Sequence, residues 1–309
     1  MSCTLLIPDF QANFEAAARP RMPALEKMLA RAGRLETQGS AALVARLFDL
    51  PGDFPVAPFM RLGDGGQPDA SYWLCADPVH LAPDRDRLVL MPGSTLQVQL
   101  QEVQALAEAF NAIYGADGWH LEFPHLQRGY LRAPKPMDVL THAPRPFMGG
   151  PVLEAMPSGP DGQRLKQLMN ETQMLFHTHA VNAAREEAGL PMINSLWFWG
   201  AGVLPAATDA APARIAGDLP LLKGLAKWAG RTAEALIGGE GVQDGDLIGL
   251  ATVELETLEQ DWFAPLLRKL RRGSIRHLDI HLEGLGDFAL SSGGARRFWR
   301  VGHALGVAR

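Results

Sequence analysis

Strand-like and helix-like segments alternate at both ends of this 309-residue chain. Near the start, the apolar run TLLI (4–7) precedes a helical pattern from Pro23, with an apolar stripe and Gly33 as the expected C-terminal cap. Near the end, LIGLATV (247–253), an amphipathic stretch (258–270) and IRHLDIHLEG (275–284) follow one another. Such alternation is typical of a sheet covered by helices. The outer parts of the chain are therefore predicted to build an α/β core.

The middle of the chain has a different pattern. It is rich in proline and glycine, and it contains two strand-like pieces, SYWLCA (71–76) and RLVLM (87–91), with a helix predicted over 97–114. This composition favours a small α+β lobe. We predict a core of residues 1–76 and 156–309, with residues 77–155 inserted as the lobe.

Composition limits the classes of partner. The chain is 47% apolar and 20% charged, and its formal net charge of -5 is spread along the sequence, so neither nucleic acid nor a membrane is expected as a partner. Cys3 and Cys75 are too few to form a disulfide framework, and no signal peptide or run of 18 apolar residues is present. A cytoplasmic location is the expectation.

The stretch NSLWFWGAG (194–202) raises the question of a ligand site, because an aromatic strand runs into a Gly-x-Gly turn without a nearby lysine or arginine. It follows a long predicted helix (162–187). The alternative is that Arg185 pairs with a neighbouring glutamate and the tryptophans fill a core beneath the Gly200 and Gly202 turn. A ligand site here would use Asn182, Arg185, Asn194, Ser195, Trp199, Gly200 and Gly202.

Familiar catalytic and metal motifs are not supported. His177 and His179 would lie about 200° apart around a helix, which makes His179 a core histidine and His177 a surface one. His277 and His281 would be about 13 Å apart along a strand. The sequence contains neither a G-x-S-x-G elbow nor a P-loop, and GLGDFA (284–289) is not followed by the helix that a dinucleotide site requires.

Two long runs resemble a known family. NETQMLFHTHAVNAAREEAGLPMINSLWFWGAG (170–202) and WLCADPVHLAPDRDRLVL (73–90) are similar to segments of regulatory proteins of the RpfE type, often labelled cofactor-independent phosphoglycerate mutases. A fainter resemblance connects the chain with archaeal-type cofactor-independent mutases of the alkaline-phosphatase superfamily. The resemblance implies a doubly wound, mostly parallel α/β sheet with an inserted lobe.

The resemblance also implies a site. Enzymes of this type hold two divalent cations with aspartate and histidine ligands, and a serine receives the phosphoryl group. Asp9 stands where the first strand would offer its metal ligand, and Ser40 in QGSAALVARLFDL (38–50) matches the nucleophile segment.

Several expected ligand motifs are replaced. A D-x-x-G-H motif becomes ATVELETLEQDW (251–262), a later G-D-H motif becomes GLGDFAL (284–290), and the arginine of an RGAG loop becomes Trp199. We therefore predict a catalytically degenerate protein that needs no cofactor and acts in regulation by binding a small molecule or a protein partner.

Two alternatives remain open. One is an active metal-dependent phosphomutase or phosphoesterase of the same type that uses Mn or Zn. Another is a scaffold that binds a protein through an exposed aromatic patch. The metal ligands of the first alternative would be Glu254, Glu256, His277, Asp279 and His281.

Overall fold

The computed structural model describes residues 2–36, 39–84, 87–91, 95–208, 210–235, 238–251 and 254–300. Its strands are β1 (Cys3–Ile7), β2 (Gly33–Arg34), β3 (Tyr72–Asp84), β4 (Arg87–Met91), β5 (His120–His125), β6 (Arg128–Ala133), β7 (Ser195–Val203), β8 (Arg214–Gly217), β9 (Asp246–Gly249), β10 (His277–Leu282) and β11 (Gly286–Ser291). Its α-helices are α1 (Phe10–Ala16), α2 (Pro23–Arg31), α3 (Gly39–Leu47), α4 (Val56–Gly63), α5 (Leu100–Tyr114), α6 (Gly162–His177), α7 (Ala180–Glu187), α8 (Pro220–Trp228), α9 (Leu255–Thr257), α10 (Ala264–Arg272) and α11 (Ser292–Ala295).

Contacts between Cα atoms divide the chain into two compact units. Unit 1 contains residues 1–54 and 207–309, and unit 2 contains residues 55–206. Within the described ranges, no helix has the length and apolar character needed to cross a bilayer.

Unit 1 is built on a mostly parallel sheet in the order β2-β11-β10-β1-β9-β8. The four strands from β10 to β8 are mutually parallel, while β11 and β2 add an antiparallel edge. All five residues of β1 are buried, as expected for a central strand covered on both faces. The α/β class and the mostly parallel sheet predicted for the outer parts of the chain are confirmed.

Unit 2 contains an antiparallel sheet. β4, β3, β6 and β5 are neighbours in that order, and β7 also pairs with β3, from Tyr72 opposite Val203 to Val79 opposite Ser195. Helices α5 and α6 cover an apolar cluster that includes Phe110, Leu165 and Phe198. The aromatic strand β7 therefore belongs to this antiparallel sheet.

The boundaries of the two units differ from the predicted ones at 76/77 and 155/156. The predicted boundary after residue 76 falls inside β3 (Tyr72–Asp84), which pairs with both β6 and β7. The pairing with β7 joins residues about 120 positions apart in the sequence. The local composition that suggested the boundaries carries no signal of such long-range pairing.

Three local predictions were wrong. The helix predicted over 162–187 is two helices, because His179 caps α7 by accepting the Val181 backbone N–H on Nδ1 at 3.2 Å. His179 is thus half-buried at a helix end and not a core residue. Gly33 does not cap α2 but begins β2, and the capping residue Ala32 is extended.

Candidate functional site

The carboxyl ends of β1 and β10 lie side by side in unit 1, with Ile7 opposite Leu282. Ligands of open α/β sheets collect at such edges. A cleft of about 190 Å³ opens here, and among its lining residues Arg34 carries the one permanent positive charge. The lining residues are Arg34, Gly39, Ser40, His281, Leu282, Glu283, Gly284, Leu285, Gly286 and Asp287.

Asp9 lies at the end of β1, as predicted, and is tied to the cleft through Glu283. Its backbone is left-handed, with φ of 64°, and it precedes α1. Its backbone N–H donates to Oε2 of Glu283 at 3.1 Å, and the backbone N–H of Gln11 donates to the Glu283 carbonyl at 3.0 Å. Glu283 thus fixes the turn in which Asp9 lies.

His281 and Asp287 form a polar pair in the wall of the cleft. They are directly opposite in the antiparallel pair β10 and β11. His281 Nδ1 lies 3.1 Å from Asp287 Oδ1, and the two residues are only 7% and 6% exposed. Neither ring nitrogen makes a well-aligned hydrogen bond within the described part of the chain. Buried imidazoles without a hydrogen bond are uncommon in proteins, and a role in ligand binding would explain this one.

Ser40 lines the same cleft from the first turn of α3. The structure therefore brings Ser40 to the edge of the sheet where Asp9 and Glu283 lie. Over the ranges that the structure describes, no three His, Cys, Asp or Glu side chains are placed to hold a metal ion. Asp279, one of the alternative ligands, accepts the Ser2 hydroxyl at 2.8 Å.

Arg185, predicted to bind a ligand, is buried in unit 2 and bonded to protein groups. Its Nε donates to the Pro191 carbonyl at 2.8 Å, and its Nη1 donates to both carboxylate oxygens of Glu102 at 2.9 and 2.8 Å. Its Nη2 donates to the Leu96 carbonyl. Arg185 thus connects α7 with α5 and with the segments before α5 and β7.

Asn182 and Asn194 also satisfy backbone groups. Asn182 Nδ2 donates to the carbonyls of Phe176 and Ile193 at 2.8 and 2.9 Å, and Asn182 Oδ1 accepts the Ile193 backbone N–H. Asn194 bonds the N–H and the carbonyl of Leu81 at 2.8 and 3.0 Å. Ser195 is fully buried, and its hydroxyl has no partner among the described residues. A ligand role for these residues stays a prediction, whereas contacts within the protein already explain both asparagines.

The side chains of β7 alternate between two apolar clusters of unit 2. Phe198 packs in the cluster beneath α5 and α6, whereas Trp197 and Trp199 pack on the opposite face near Val79. Indole Nε1 of Trp197 donates to the His142 carbonyl at 2.7 Å. The phase of the strand, which the sequence left ambiguous, is therefore set by these contacts.

Trp199 faces the carboxyl group of the half-buried Asp77. Its indole Nε1 donates to Oδ2 of Asp77 at 2.7 Å. Burial raises the pKa of Asp77 to about 7, in spite of this hydrogen bond and the nearby charge of Arg128. Arg128 itself makes a bidentate pair with Asp64 at 2.8 and 2.9 Å. Asp77 is therefore a carboxyl group whose charge changes near neutral pH.

Asp77→Asn is expected to stabilise the protein at pH 8 by about 1–3 kcal/mol and to have little effect at pH 4. The unfolded Asp ionises near its ordinary pKa of 3.8, whereas the folded one holds its proton to about pH 7. The free energy of unfolding of the wild type therefore falls as pH rises between these values. Urea unfolding at pH 4, 6 and 8 measures the difference, with the exposed Asp117→Asn as control. A gain independent of pH would contradict the raised pKa of Asp77.

Sequence reasoning missed two features of these sites. The pairing of His281 with Asp287 depends on the register of the hairpin around residues 283–285, and the pattern HLDIHL followed by GDFALS could have suggested it. Contact between Asp77 and Trp199 depends on pairing across 122 positions. No local signal indicates that contact.

Comparison with known proteins points to phosphoglycerate mutases. No family model matches the chain. A probable 2,3-bisphosphoglycerate-independent phosphoglycerate mutase of Geobacter sulfurreducens is 28% identical over 188 residues, which are 59% of this chain and 47% of that protein. The corresponding enzyme of Methanothrix thermoacetophila is 29% identical over 126 residues, 39% of this chain and 32% of that protein. The chain thus spans less than half the length of these relatives, and the homology is distant.

Two solved structures are also similar. The cofactor-independent phosphoglycerate mutase from Thermoplasma acidophilum aligns with 95% of this chain and 94% of its own, at 15% identity and a TM-score of 0.41. The PH0037 protein from Pyrococcus horikoshii aligns with 90% of this chain and 81% of its own, at 13% identity and a TM-score of 0.46.

Proposed function

We propose that this chain is a regulatory, ligand-binding relative of cofactor-independent phosphoglycerate mutases. It is of the RpfE type, with an alkaline-phosphatase-like core that no longer carries out two-cation phosphoryl transfer. The observation behind the proposal is that polar groups at the carboxyl ends of β1 and β10 contact one another. Glu283 accepts the Asp9 amide N–H at 3.1 Å, and Asp287 lies 3.1 Å from His281.

Two-cation phosphoryl transfer needs carboxylate and imidazole atoms from several elements that converge on ions a few ångströms apart. Here the Glu283 carboxylate holds a turn, and the Asp287 carboxylate faces the His281 ring across a hairpin. The arrangement does not fit a pair of cations, and no phosphoryl-transfer step follows from it.

The cleft instead fits a small polar molecule. Its volume of about 190 Å³ is below the usual range for sites that enclose a drug-sized ligand. Arg34 offers a guanidinium group to a carboxylate or phosphate, and the Ser40 hydroxyl offers a partner for a hydroxyl group. A three-carbon hydroxy acid or its phosphate has this combination of groups.

The purified chain is expected to show no interconversion of 3-phosphoglycerate and 2-phosphoglycerate above the buffer rate, with or without Mn²⁺ or Zn²⁺. Without cations between the reacting oxygens, the developing charge has no stabilising partner. Titration calorimetry with 3-phosphoglycerate is expected to show binding that Arg34→Gln weakens about tenfold, since a charged hydrogen bond is lost.

Asp9→Ala, with the exposed Asp53→Ala as matched control, decides between this proposal and an active enzyme. Metal-dependent turnover that Asp9→Ala abolishes and Asp53→Ala leaves intact would show a working mutase. Close to two bound metal ions per chain in elemental analysis would support the same conclusion.

A further inference from the structure

Arginines collect on one side of unit 1, where α2, α10 and the residues after α11 meet. Arg31 is buried, and its guanidinium donates to the carbonyls of Ala295 at 2.9 Å and Arg300 at 3.3 Å. Arg296 Nε donates to the Arg271 carbonyl at 2.8 Å. These bonds hold the segment after α11 against α10. We call the following residues the arginine surface: Arg31, Arg271, Arg272, Arg296, Arg297, Phe298, Trp299 and Arg300.

The charge of this surface is not balanced within the described residues. No carboxylate oxygen among them lies within 4.0 Å of its six guanidinium groups, whereas neighbouring Arg268 and Arg276 pair with Glu240 and Asp244. Burial and the charge of Arg271 lower the pKa of Arg31. Like charges held this close favour an anionic partner, because its charge relieves their repulsion.

Two aromatic rings protrude from the same surface. Phe298 is 80% exposed and Trp299 is 66% exposed. The turn that carries them is closed by the Arg300 N–H, which donates to the Arg297 carbonyl at 3.2 Å, so an arginine stands on each side of the ring pair. Large rings at the tip of a basic turn combine an apolar and a cationic contact in one place.

We propose that the arginine surface binds the face of an anionic lipid bilayer. Lipid phosphates pair with the exposed arginines of this surface, which exclude the buried Arg31, while Phe298 and Trp299 enter the boundary between headgroups and acyl chains. This inference goes beyond the proposed function and is independent of it. It also departs from the sequence expectation of no membrane partner, which was based on the net charge of -5 averaged over the whole chain.

The geometry of the rings favours a bilayer over the other anionic partners. The Phe298 and Trp299 rings meet edge to face, with centroids 5.3 Å apart and planes at 83°. Proteins that bind single-stranded nucleic acid offer aromatic rings with separately accessible faces, on which successive bases stack. The edge-to-face pair of Phe298 and Trp299 does not offer two such faces side by side. An acidic protein segment satisfies the arginines but supplies no apolar medium for two protruding rings. A bilayer supplies both.

Co-sedimentation of the full chain with vesicles tests the proposal. We expect the protein to bind vesicles of phosphatidylcholine with about one third phosphatidylglycerol and not vesicles of phosphatidylcholine alone, with release at high salt. The double variant Phe298→Ala and Trp299→Ala is expected to lower the partition coefficient at least about tenfold. Arg296→Gln with Arg297→Gln is expected to lower it about 20-fold and to weaken its salt dependence.

The matched controls are Leu153→Ala and Met174→Ala, because these side chains of unit 2 are 84% and 73% exposed. They are expected to leave the partition coefficient unchanged, and circular dichroism melts of every variant report whether it is folded. Equal binding to neutral and anionic vesicles, or full binding by either double variant, overturns the proposal. Binding to single-stranded RNA or polyglutamate in the absence of vesicle binding overturns it as well.

Discussion

Replacement of Arg185 by methionine is expected to lower the free energy of unfolding by about 3–4 kcal/mol. The guanidinium is 1% exposed and donates to two backbone carbonyls and to the carboxylate of Glu102. Methionine keeps most of the buried volume but leaves the carbonyls of Leu96 and Pro191 without these donors. The Glu102 side chain is 21% exposed, so water recovers part of its lost interaction. Urea unfolding followed by circular dichroism gives the change.

Arg164→Met is the matched control, since Arg164 is exposed on α6. It is expected to change the free energy of unfolding by less than about 1 kcal/mol. If Arg185→Met lowers the free energy of unfolding no more than this control does, the contacts of Arg185 contribute little to stability. The guanidinium would then be available for the ligand role that the sequence predicted.

The parts of the fold that the sequence predicted are those determined by short-range patterns. Pro23 is the first residue of α2, and the apolar alternation of residues 278–282 predicts β10. Both patterns are local, because a half-buried strand buries every second side chain and an amphipathic helix buries every third or fourth. The strand order of unit 1 then brings these elements together in a mostly parallel sheet.

The roles of polar residues were harder to predict because their partners are distant in the sequence. Arg185 bonds with Glu102 across 83 positions, and Asn194 bonds with Leu81 across 113. A buried arginine before a strand looks the same in sequence whether it holds a ligand or a backbone carbonyl. Only the fold distinguishes these two roles, because it determines which buried carbonyls have no hydrogen-bond donor other than the arginine.

The roles that the resemblance suggested for Asp9 and Ser40 stay predictions, although the positions of both residues are now known. The resemblance suggested Asp9 and Ser40, and the structure places both at the carboxyl-terminal edge of the parallel sheet. The facing pair His281 and Asp287 follows from hairpin register, which one extra turn residue would have changed. Hairpin register therefore decides which charged groups meet at this edge of the sheet.

Gly202→Ala is expected to lower the free energy of unfolding by about 2–4 kcal/mol. The sequence suggested a Gly-x-Gly turn here, but Gly200 and Gly202 lie within β7. Gly202 has φ of 152°, and a Cβ there would lie 2.5 Å from Cβ of Pro55, just before α4. Gly33→Ala is the control, because a Cβ at Gly33 meets nothing within 4 Å. Urea unfolding of both variants measures how much the absence of a side chain at Gly202 contributes to stability, apart from any role in ligand binding. Close packing of β7 explains the glycine if only Gly202→Ala is destabilised, whereas a stable Gly202→Ala variant that no longer binds 3-phosphoglycerate would assign this glycine to a ligand site.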